Sequence, residues 1–299
     1  MPAQEENLAG ILSPAFGKAA FRVDRSRPLT FICGGNNDDA LRHQFLERVT
    51  GPPRRILPVL AERAYPHQLI ERNLQSFEEF LANTADCVLI FVESPGSFAE
   101  TGLFAGTDEV IKKTFVINTR EESGKKSFLN LGPIKLIRKA SQYDAVVDIA
   151  NNVVTAVDAN LIVEGILSTY PQYQTARVFH PLIKFTDHEL RLRLACVHMA
   201  VTLMWAGSAS LVTSVLRKHF RAVNEEEVER FLALLTSIGL LQRMDEIYFN
   251  PSRRGFTEDA LIYSADFSVD NVRAQALEWQ TENNSHVATF LREKRGVDI

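Results

Sequence analysis

The run Cys87-Val-Leu-Ile-Phe-Val92 constrains the fold more than any other stretch of the chain. It is apolar at every position and rich in β-branched and aromatic side chains. A strand with water on one side alternates apolar and polar residues, whereas a strand covered on both faces does not alternate. Continuous runs of this kind belong to parallel sheets packed between helices. Turn chemistry follows in Glu93-Ser-Pro-Gly-Ser97, then helical spacing over Phe98 to Val110, then a second strand-like run, Thr114-Phe-Val-Ile117. The same grammar precedes it. Leu29-Thr-Phe-Ile-Cys33 reads as a strand ending in the turn cluster Gly34-Gly-Asn-Asn37, and Asp39 to Val49 places Leu41, Phe45, Leu46 and Val49 on one helical side. Arg55-Ile-Leu-Pro-Val59 is a weaker strand candidate. His67 to Leu81 is an amphipathic helix with Leu69, Ile70, Leu74, Phe77 and Leu81 on its stripe. Strand, turn and helix repeated at this spacing predict an α/β fold, a Rossmann/flavodoxin-like parallel sheet with helices on both faces.

From Asn130 to Asn160 the pattern is mixed. A helix or strand is expected near Pro133 to Ala140, a strand over Ala145 to Val147, and a helix from about Asn152 to Leu167. Tyr170-Pro-Gln-Tyr-Gln-Thr175 and His180-Pro181 break this pattern, which puts a boundary near residues 170 to 185. Beyond it, Asp187 to Trp205, Ser210 to Phe220 and Glu225 to Ile238 read as three helices. Gly239 to Asn250 reads as a hairpin with Asp245-Glu246 at its tip, and Asp270 to Arg295 as one terminal helix. Three short helices followed by a hairpin is the winged-helix order, so a mostly helical winged-helix domain is expected after the sheet. The expected division is 1–170, 186–255 and 256–299.

Charge narrows the classes further. With 33 Lys+Arg against 37 Asp+Glu the net charge is −4, which excludes a globally basic nucleic-acid binder. Cys33, Cys87 and Cys196 are widely spaced in apolar surroundings, so buried thiols are expected rather than a disulfide framework. Met1 to Gly10 has no apolar core of a leader peptide, and Ala195 to Ala206 is too short to span a bilayer. A cytoplasmic protein with no membrane partner is therefore expected.

The loop after the central run is the best site candidate. In open α/β sheets ligands bind beyond the carboxyl ends of the strands, where strand order reverses. Pro95-Gly96 permits a tight turn, the next helix offers free N–H groups, and Glu100 lies one turn into that helix. Ser97-Phe-Ala-Glu100 also fits a capping box, in which Glu100 only satisfies the Ser97 backbone N–H, so a cap and a catalytic carboxylate both remain open. Gly34-Gly35 is not a G-x-G-x-x-G fingerprint, and no P-loop is present. Asp38 and Asp39 read as helix-dipole charges and Asp86 as a turn residue. His43, His67 and His198 read as structural, with no metal-ligand spacing. Cys33 adjoins the Gly-Gly loop without an evident partner histidine, and Trp205 and Phe220 read as core.

Phe31-Ile-Cys-Gly-Gly-Asn36, Glu62-Arg63-Ala-Tyr65 and Asp86 through Pro95-Gly-Ser-Phe-Ala-Glu-Thr-Gly102 together resemble the effector proteins of bacterial retrons. In those proteins a nucleoside-deoxyribosyltransferase-like or TIR-like N-glycosidase domain precedes a winged-helix domain. Pro95 to Gly102 is also similar to the P-G-[ST]-x-x-E-[IT]-G motif of nucleoside deoxyribosyltransferases, whose glutamate attacks the anomeric carbon. The resemblance rests on motifs over the first part of the chain and on domain order beyond it. It implies a toxic anti-phage effector that hydrolyses the N-glycosidic bond of NAD⁺, taken as substrate and not cofactor, with Glu100 catalytic. Gly34, Gly35 and Asn36 would hold phosphate or ribose oxygens, Ser94 and Ser97 would hydrogen-bond the ribose beside Gly96, and Arg63 would pair with a phosphate. Activity on other nucleosides or nucleotides is the near alternative, and a nucleotide-sensing winged-helix DNA-binding regulator the distant one.

The helix expected to enter a DNA groove begins Asn224-Glu-Glu-Glu227, and three carboxylates there would repel phosphate. From Pro171 onward the chain has 15 Lys+Arg against 16 Asp+Glu, with Arg217, Lys218, Arg221 and Arg253-Arg254 as its basic groups of note. Non-specific DNA affinity needs several phosphate contacts, so a docking module is expected in preference to a sequence reader. The resemblance implies docking to the retron reverse transcriptase and its multicopy single-stranded DNA/RNA hybrid. It also implies sites shared between subunits, hence a homo-oligomer or higher assembly.

Overall fold

The structure, a computed structural model, describes residues 2–17, 21–23, 26–51, 54–64, 74–143, 146–170, 184–251 and 262–295. It divides into two compact units, one of Ser26–Tyr173 and one of Met1–Arg25 with Gln174–Ile299.

The Ser26–Tyr173 unit runs β1 (Leu29–Cys33), α1 (Leu41–Val49), β2 (Leu57–Val59), α2 (Ala61–Ala64), α3 (Leu74–Thr84), β3 (Cys87–Phe91), α4 (Pro95–Ala105), β4 (Thr114–Thr119), α5 (Pro133–Ala140), β5 (Val146–Ile149) and α6 (Ala156–Thr169). Its five strands form one sheet in the order β2-β1-β3-β4-β5, every neighbouring pair parallel. This is the doubly wound order in which the chain starts near the middle, moves one way to β2, then returns past its start to β3. The reversal lies between β1 and β3.

Burial explains the unbroken apolar run Cys87–Phe91: all five residues of β3 are 0% exposed. Period-two geometry sends Ile32 and Phe31 to opposite faces. Ile32 joins Leu89, Phe91, Phe115 and Ile117 in a core shared with Leu41 and Phe45 of α1 and Ile162, Val163 and Ile166 of α6. Phe31 meets the ring of Phe104 on α4 edge-on at 6.1 Å. Helices therefore cover both faces, as expected.

Local chemistry moves several boundaries. Pro58 cannot donate to a sheet ladder and sits in β2, an edge strand of three residues and shorter than expected. Ser94 caps α4, which therefore begins at Pro95 rather than Phe98 and stops at Ala105, before a separate turn over Asp108–Ile111. α3 runs past Leu81 to Thr84, while the expected helix start from His67, and Tyr65 before it, fall outside the described residues. The ambiguous stretch near Pro133 is helix α5, and Thr155 with Asp158 closes a capping box that starts α6 at Ala156. Asp86 accepts the Leu29 N–H at 2.7 Å and ties the entry of β3 to β1.

The other unit corrects the expected first boundary. The sequence reading starts the first domain at residue 1, but Met1–Arg25 packs with the C-terminal half. Helix Pro2–Leu12 lies on helices Ala209–His219 and Val269–Asn283, burying Leu8 and Leu12 completely. The Phe16 ring lies 4.8 Å from His219 and 5.7 Å from Phe220, and strand Phe21–Val23 pairs antiparallel with Ile262–Ala265. Such long-range partners leave no local pattern in the sequence.

The remainder follows the order helix Leu190–Met204, strand Ala206–Gly207, helices Ala209–His219 and Glu225–Ser237, and a hairpin of Gln242–Met244 and Ile247–Phe249. Asp245-Glu246 forms the hairpin tip, as expected. Ala206–Gly207 adds a third strand beside Ile247–Phe249, unforeseen because it is two residues long. Trp205, at φ 69°, turns the chain out of the preceding helix into it. The expected single terminal helix is two, Val269–Asn283 and Ser285–Arg295, broken at Asn284, whose side-chain oxygen accepts the Val287 N–H at 3.3 Å. No helix among the described residues is long and apolar enough to cross a membrane.

Candidate active site

The carboxyl ends of β1 and β3 frame a cavity of about 360 Å³ at the strand-order reversal. It is lined by Gly34, Gly35 and Asn36 from the loop after β1, by Ser94, Gly96, Ser97 and Glu100 from the loop and helix after β3, and by Cys33, Arg42, Glu62 and Glu78. Seven of the eight residues singled out from the sequence thus meet at one cavity. The eighth, Arg63, is exposed on α2 and does not line it: the short helix brings Glu62 to the cavity and leaves Arg63 in solvent.

The start of α4 settles the cap. Ser94 is the N-cap and Ser97 its reciprocal partner: the Ser94 hydroxyl accepts the Ser97 N–H at 3.2 Å, and the Ser97 hydroxyl accepts the Ser94 N–H at 3.0 Å. The capping box that the sequence offered, Ser97 with Glu100, does not form. Its frame is displaced by one helical turn because Pro95 starts the helix earlier. Ser97, 1% exposed, also accepts the Glu93 N–H at 3.1 Å and donates to the Ser94 carbonyl at 2.9 Å. Its hydroxyl is committed to the loop, while Glu100 is left free of capping duty.

Glu100 is consequently a poorly solvated carboxyl among other acids. Its pKa is pushed up to about 7, mainly by burial and then by the nearby Glu78 carboxylate. Opposing this, the Cys33 thiol donates a hydrogen bond to it and the Arg42 guanidinium attracts its charge. The Cys33 thiol, buried and beside that carboxylate, is held well above its usual range, which makes it a poor nucleophile and a supporting contact for Glu100.

Two residues that the sequence reading passed over organise the loop. Glu93 follows β3, and its carboxylate accepts three backbone N–H groups, from Gly35 at 2.9 Å, Leu41 at 2.5 Å and Arg42 at 3.1 Å. Ala40, at the N-cap of α1, has no side-chain acceptor to cap the helix, and Glu93 supplies that cap from the loop after β3. Arg42 donates Nε to the Gly35 carbonyl at 3.0 Å, another N–H to Asn36 Oδ1, and a fork to Glu62 whose shorter arm is 2.7 Å. A Cβ on Gly34, at φ 157°, would lie 2.8 Å from the Arg42 Cβ and 2.9 Å from Glu93 Oε1, so glycine is required there by close approach. The Gly-Gly pair was visible in the sequence; its partners were not, because an arginine one residue into a helix reads as a surface charge.

A second cavity of about 360 Å³ shares Asn37 with the first and is lined further by Asp39, Glu93, Phe98, Thr119, Glu121 and Glu122. In the other unit His198 is buried and its pKa is lowered to about 4, the behaviour of a neutral core histidine. Trp205 is half-buried with the Arg273 guanidinium 3.9 Å over its ring, and Phe220 is core. Among the described residues no group of three or more His, Cys, Asp or Glu is disposed to hold a metal ion.

Fold and site together define an α/β protein with a carboxylate-bearing cavity at the switch point of a doubly wound sheet. The chain matches the STM3845 retron effector protein family over residues 38–243 and belongs to that family. It is similar to two Escherichia coli proteins, both named provisionally as ribosyltransferase/DNA-binding proteins. It is 28% identical to that of retron Ec86 over 180 residues, which is 56% of this chain and 55% of the relative. It is 33% identical to that of retron Ec73 over 125 residues, 39% of this chain and 40% of the relative. The matches thus span about half the length of these curated relatives, or less.

Two stability measurements test the site. Glu93→Ala removes the acceptor of three backbone donors and is expected to lower unfolding free energy by about 2–3 kcal/mol in urea at pH 7, more than a surface glutamate would. Glu100 carries a raised folded pKa, so the stability it allows is fully present below pH 4.5 and is lost as pH rises through about 7. Glu100→Gln is therefore expected to match the wild type near pH 4 and to exceed it at pH 8, by on the order of 3 kcal/mol at most.

Proposed function

We propose that this protein is a toxic effector of a retron anti-phage defence system whose α/β unit cleaves the N-glycosidic bond of a nucleotide, NAD⁺ first among the candidates. The reading rests on Glu100: a carboxyl released from capping, poorly solvated, tuned to near-neutral pH, and held at the switch-point cavity where α/β sheets bind ligands. The family and the relatives' names as ribosyltransferases support glycosyl chemistry.

In the proposed reaction an ionised Glu100 oxygen attacks C1′ of the ribose as the C1′–N bond breaks. The bonding electron pair leaves with the base, neutralising the nicotinamide ring. Water then attacks C1′, the ester bond to Glu100 breaks, and the water proton passes to solvent. Purely electrostatic stabilisation of the oxocarbenium ion by the same carboxylate gives the same products. Gly34 and Gly35 let the substrate approach the backbone closely. The Gly35 N–H is already given to Glu93, so the loop's hydrogen bond to a ribose or phosphate oxygen falls to the Asn36 amide nitrogen. Ser94 and Gly96 line the ribose side, and Ser97 shapes it through the backbone. Hydrolysis or transfer on other nucleosides and nucleotides uses the same groups.

We read the element order helix, strand, helix, helix, hairpin with its three-stranded sheet as a winged helix serving as a docking module for the retron reverse transcriptase and its multicopy single-stranded DNA/RNA hybrid. Several of its described basic groups are engaged within the unit: Arg193 pairs with Glu227, Arg230 with Glu226 at 2.6 Å, Lys218 with Glu6 at 2.7 Å, and Arg217 donates to the Val223 carbonyl. Such engagement leaves fewer cations for phosphates among the described residues, which disfavours an independent DNA reader. Arg253 and Arg254 lie outside the described residues.

The test is release of free base. The full chain, alone and with its retron reverse transcriptase and DNA/RNA hybrid, is incubated with NAD⁺ and a nucleotide panel and the products are separated chromatographically. Nicotinamide release, reduced at least about 10³-fold in Glu100→Gln, is expected. Because the ionised carboxylate is the active form, kcat/KM should rise with pH and level off above a midpoint near 7. No released base, or turnover that survives Glu100→Gln, would sink the enzymatic reading in favour of a nucleotide-sensing regulator.

A further inference from the structure

We infer that Arg42 anchors a phosphoryl-binding subsite in the Glu100 cavity, and that Glu62 occupies this subsite until a nucleotide phosphate exchanges for it. The inference deepens the proposed function and rests on that reading for the nucleotide, though not for the anion.

The Arg42 side chain is 8% exposed, and two of its contacts fix it to the glycine loop: Nε to the Gly35 carbonyl and one N–H to Asn36. Its remaining fork meets both oxygens of Glu62, at 2.7 and 3.3 Å. This two-pronged geometry is the one a guanidinium offers equally to carboxylate and to phosphate. The two partners differ in mobility. Glu62 is 39% exposed on a helix of four residues, so its side chain reaches water with little loss. Arg42 is buried and held in place, and a buried cation left without an anion is costly. Some anion must therefore always face Arg42, and Glu62 is the one that can leave.

Charge favours exchange over addition. Arg42 is the one cation among the described residues lining the cavity, and Glu62, Glu78 and Glu100 line it too. A phosphate entering beside all three carboxylates would meet net repulsion. A phosphate entering as Glu62 withdraws finds a preformed fork beside the glycine loop, with two carboxylates in the cavity instead of three. Glu62 thus acts as an internal stand-in that sets a threshold for phosphorylated ligands.

The experiment uses the full chain at matched ionic strength. Thermal shift is measured with inorganic pyrophosphate, and calorimetry with ADP-ribose and with adenosine, for wild type, Glu62→Gln and Arg42→Lys. Glu62→Gln keeps the side chain's size and removes its charge. It is expected to enlarge the pyrophosphate-induced rise in Tm and to tighten ADP-ribose by about tenfold, leaving adenosine unchanged. Arg42→Lys, which loses the fork, is expected to weaken ADP-ribose by a similar factor; should that variant not fold, Glu62→Gln decides alone. Unchanged or weaker ADP-ribose binding in Glu62→Gln, or equal tightening of adenosine, would overturn the inference. Binding of pyrophosphate without ADP-ribose would overturn the nucleotide assignment. Tightening in Glu62→Gln without base release in any assay would support the subsite and sink the N-glycosidase reading. Base release that depends on Glu100, with no change in affinity or KM in Glu62→Gln, would sink the subsite alone.

Discussion

One carboxylate holds the candidate site together. Glu93 leaves the end of β3 and receives N–H groups from Gly35 and from the first turn of α1, so a single side chain ties together the two strand ends between which the sheet reverses direction. Parallel strands joined through helices have no tight turn to set the geometry at their ends, and the crevice there depends on what crosses it. Here the crossing group is a part-buried carboxylate with both oxygens hydrogen-bonded, conditions under which such a group stabilises the fold rather than costing it. The close fit explains the glycines. Gly34 and Gly35 pass so near Arg42, Ala40 and Glu93 that a Cβ on either would crowd them. The loop is glycine-rich first because the protein's own clamp needs the room, and any ligand benefits from a backbone already bare.

Much of this was legible before the structure. The unbroken apolar run at Cys87–Val92 marked a strand buried on both faces, and the strand-turn-helix rhythm marked a parallel sheet, because both signals are local and periodic. Seven of the eight proposed site residues converge, since loops that end neighbouring parallel strands open on the same crevice. What escaped was non-local or too short. Nothing near Pro2–Leu12 reveals that its apolar side packs on helices some two hundred residues later. The strand Ala206–Gly207 carries no pattern because it has two residues. The cap of α1 lies in the loop after β3, so sequence proximity pointed to Asp38 and Asp39 and not to Glu93. Ser97–Glu100 had the spacing of a capping box, but Ser94 competes for the same helix start and prevails because Pro95 suits the first helical position.

That competition matters more than its single hydrogen bond. A glutamate in a capping box satisfies a backbone N–H and is held ionised by it; a glutamate one turn further along, facing a cavity already lined by Glu62 and Glu78, has neither benefit. The cost shows as a pKa raised to about 7, with only the Cys33 thiol and the Arg42 guanidinium opposing the rise. Such a group lowers fold stability at neutral pH, and replacing it with a neutral side chain would relieve that cost. Where a fold accommodates an unfavourable carboxylate at the mouth of its switch point, the physical effect is a carboxyl able to change charge within the range where chemistry takes place.

The surrounding charges then act as one system. Arg42 is the sole cation that the described lining offers to three acids, so any change in its pairing is felt at Glu100. While Glu62 occupies the fork, Arg42 is neutralised from one side and Glu100 gains little from it. A ligand anion in the same place would neutralise it again, and a neutral ligand would leave Glu62 where it stands. The ionisation of Glu100 and the pairing of Arg42 are therefore coupled through one buried guanidinium. This coupling follows from there being fewer positive than negative groups around one buried guanidinium.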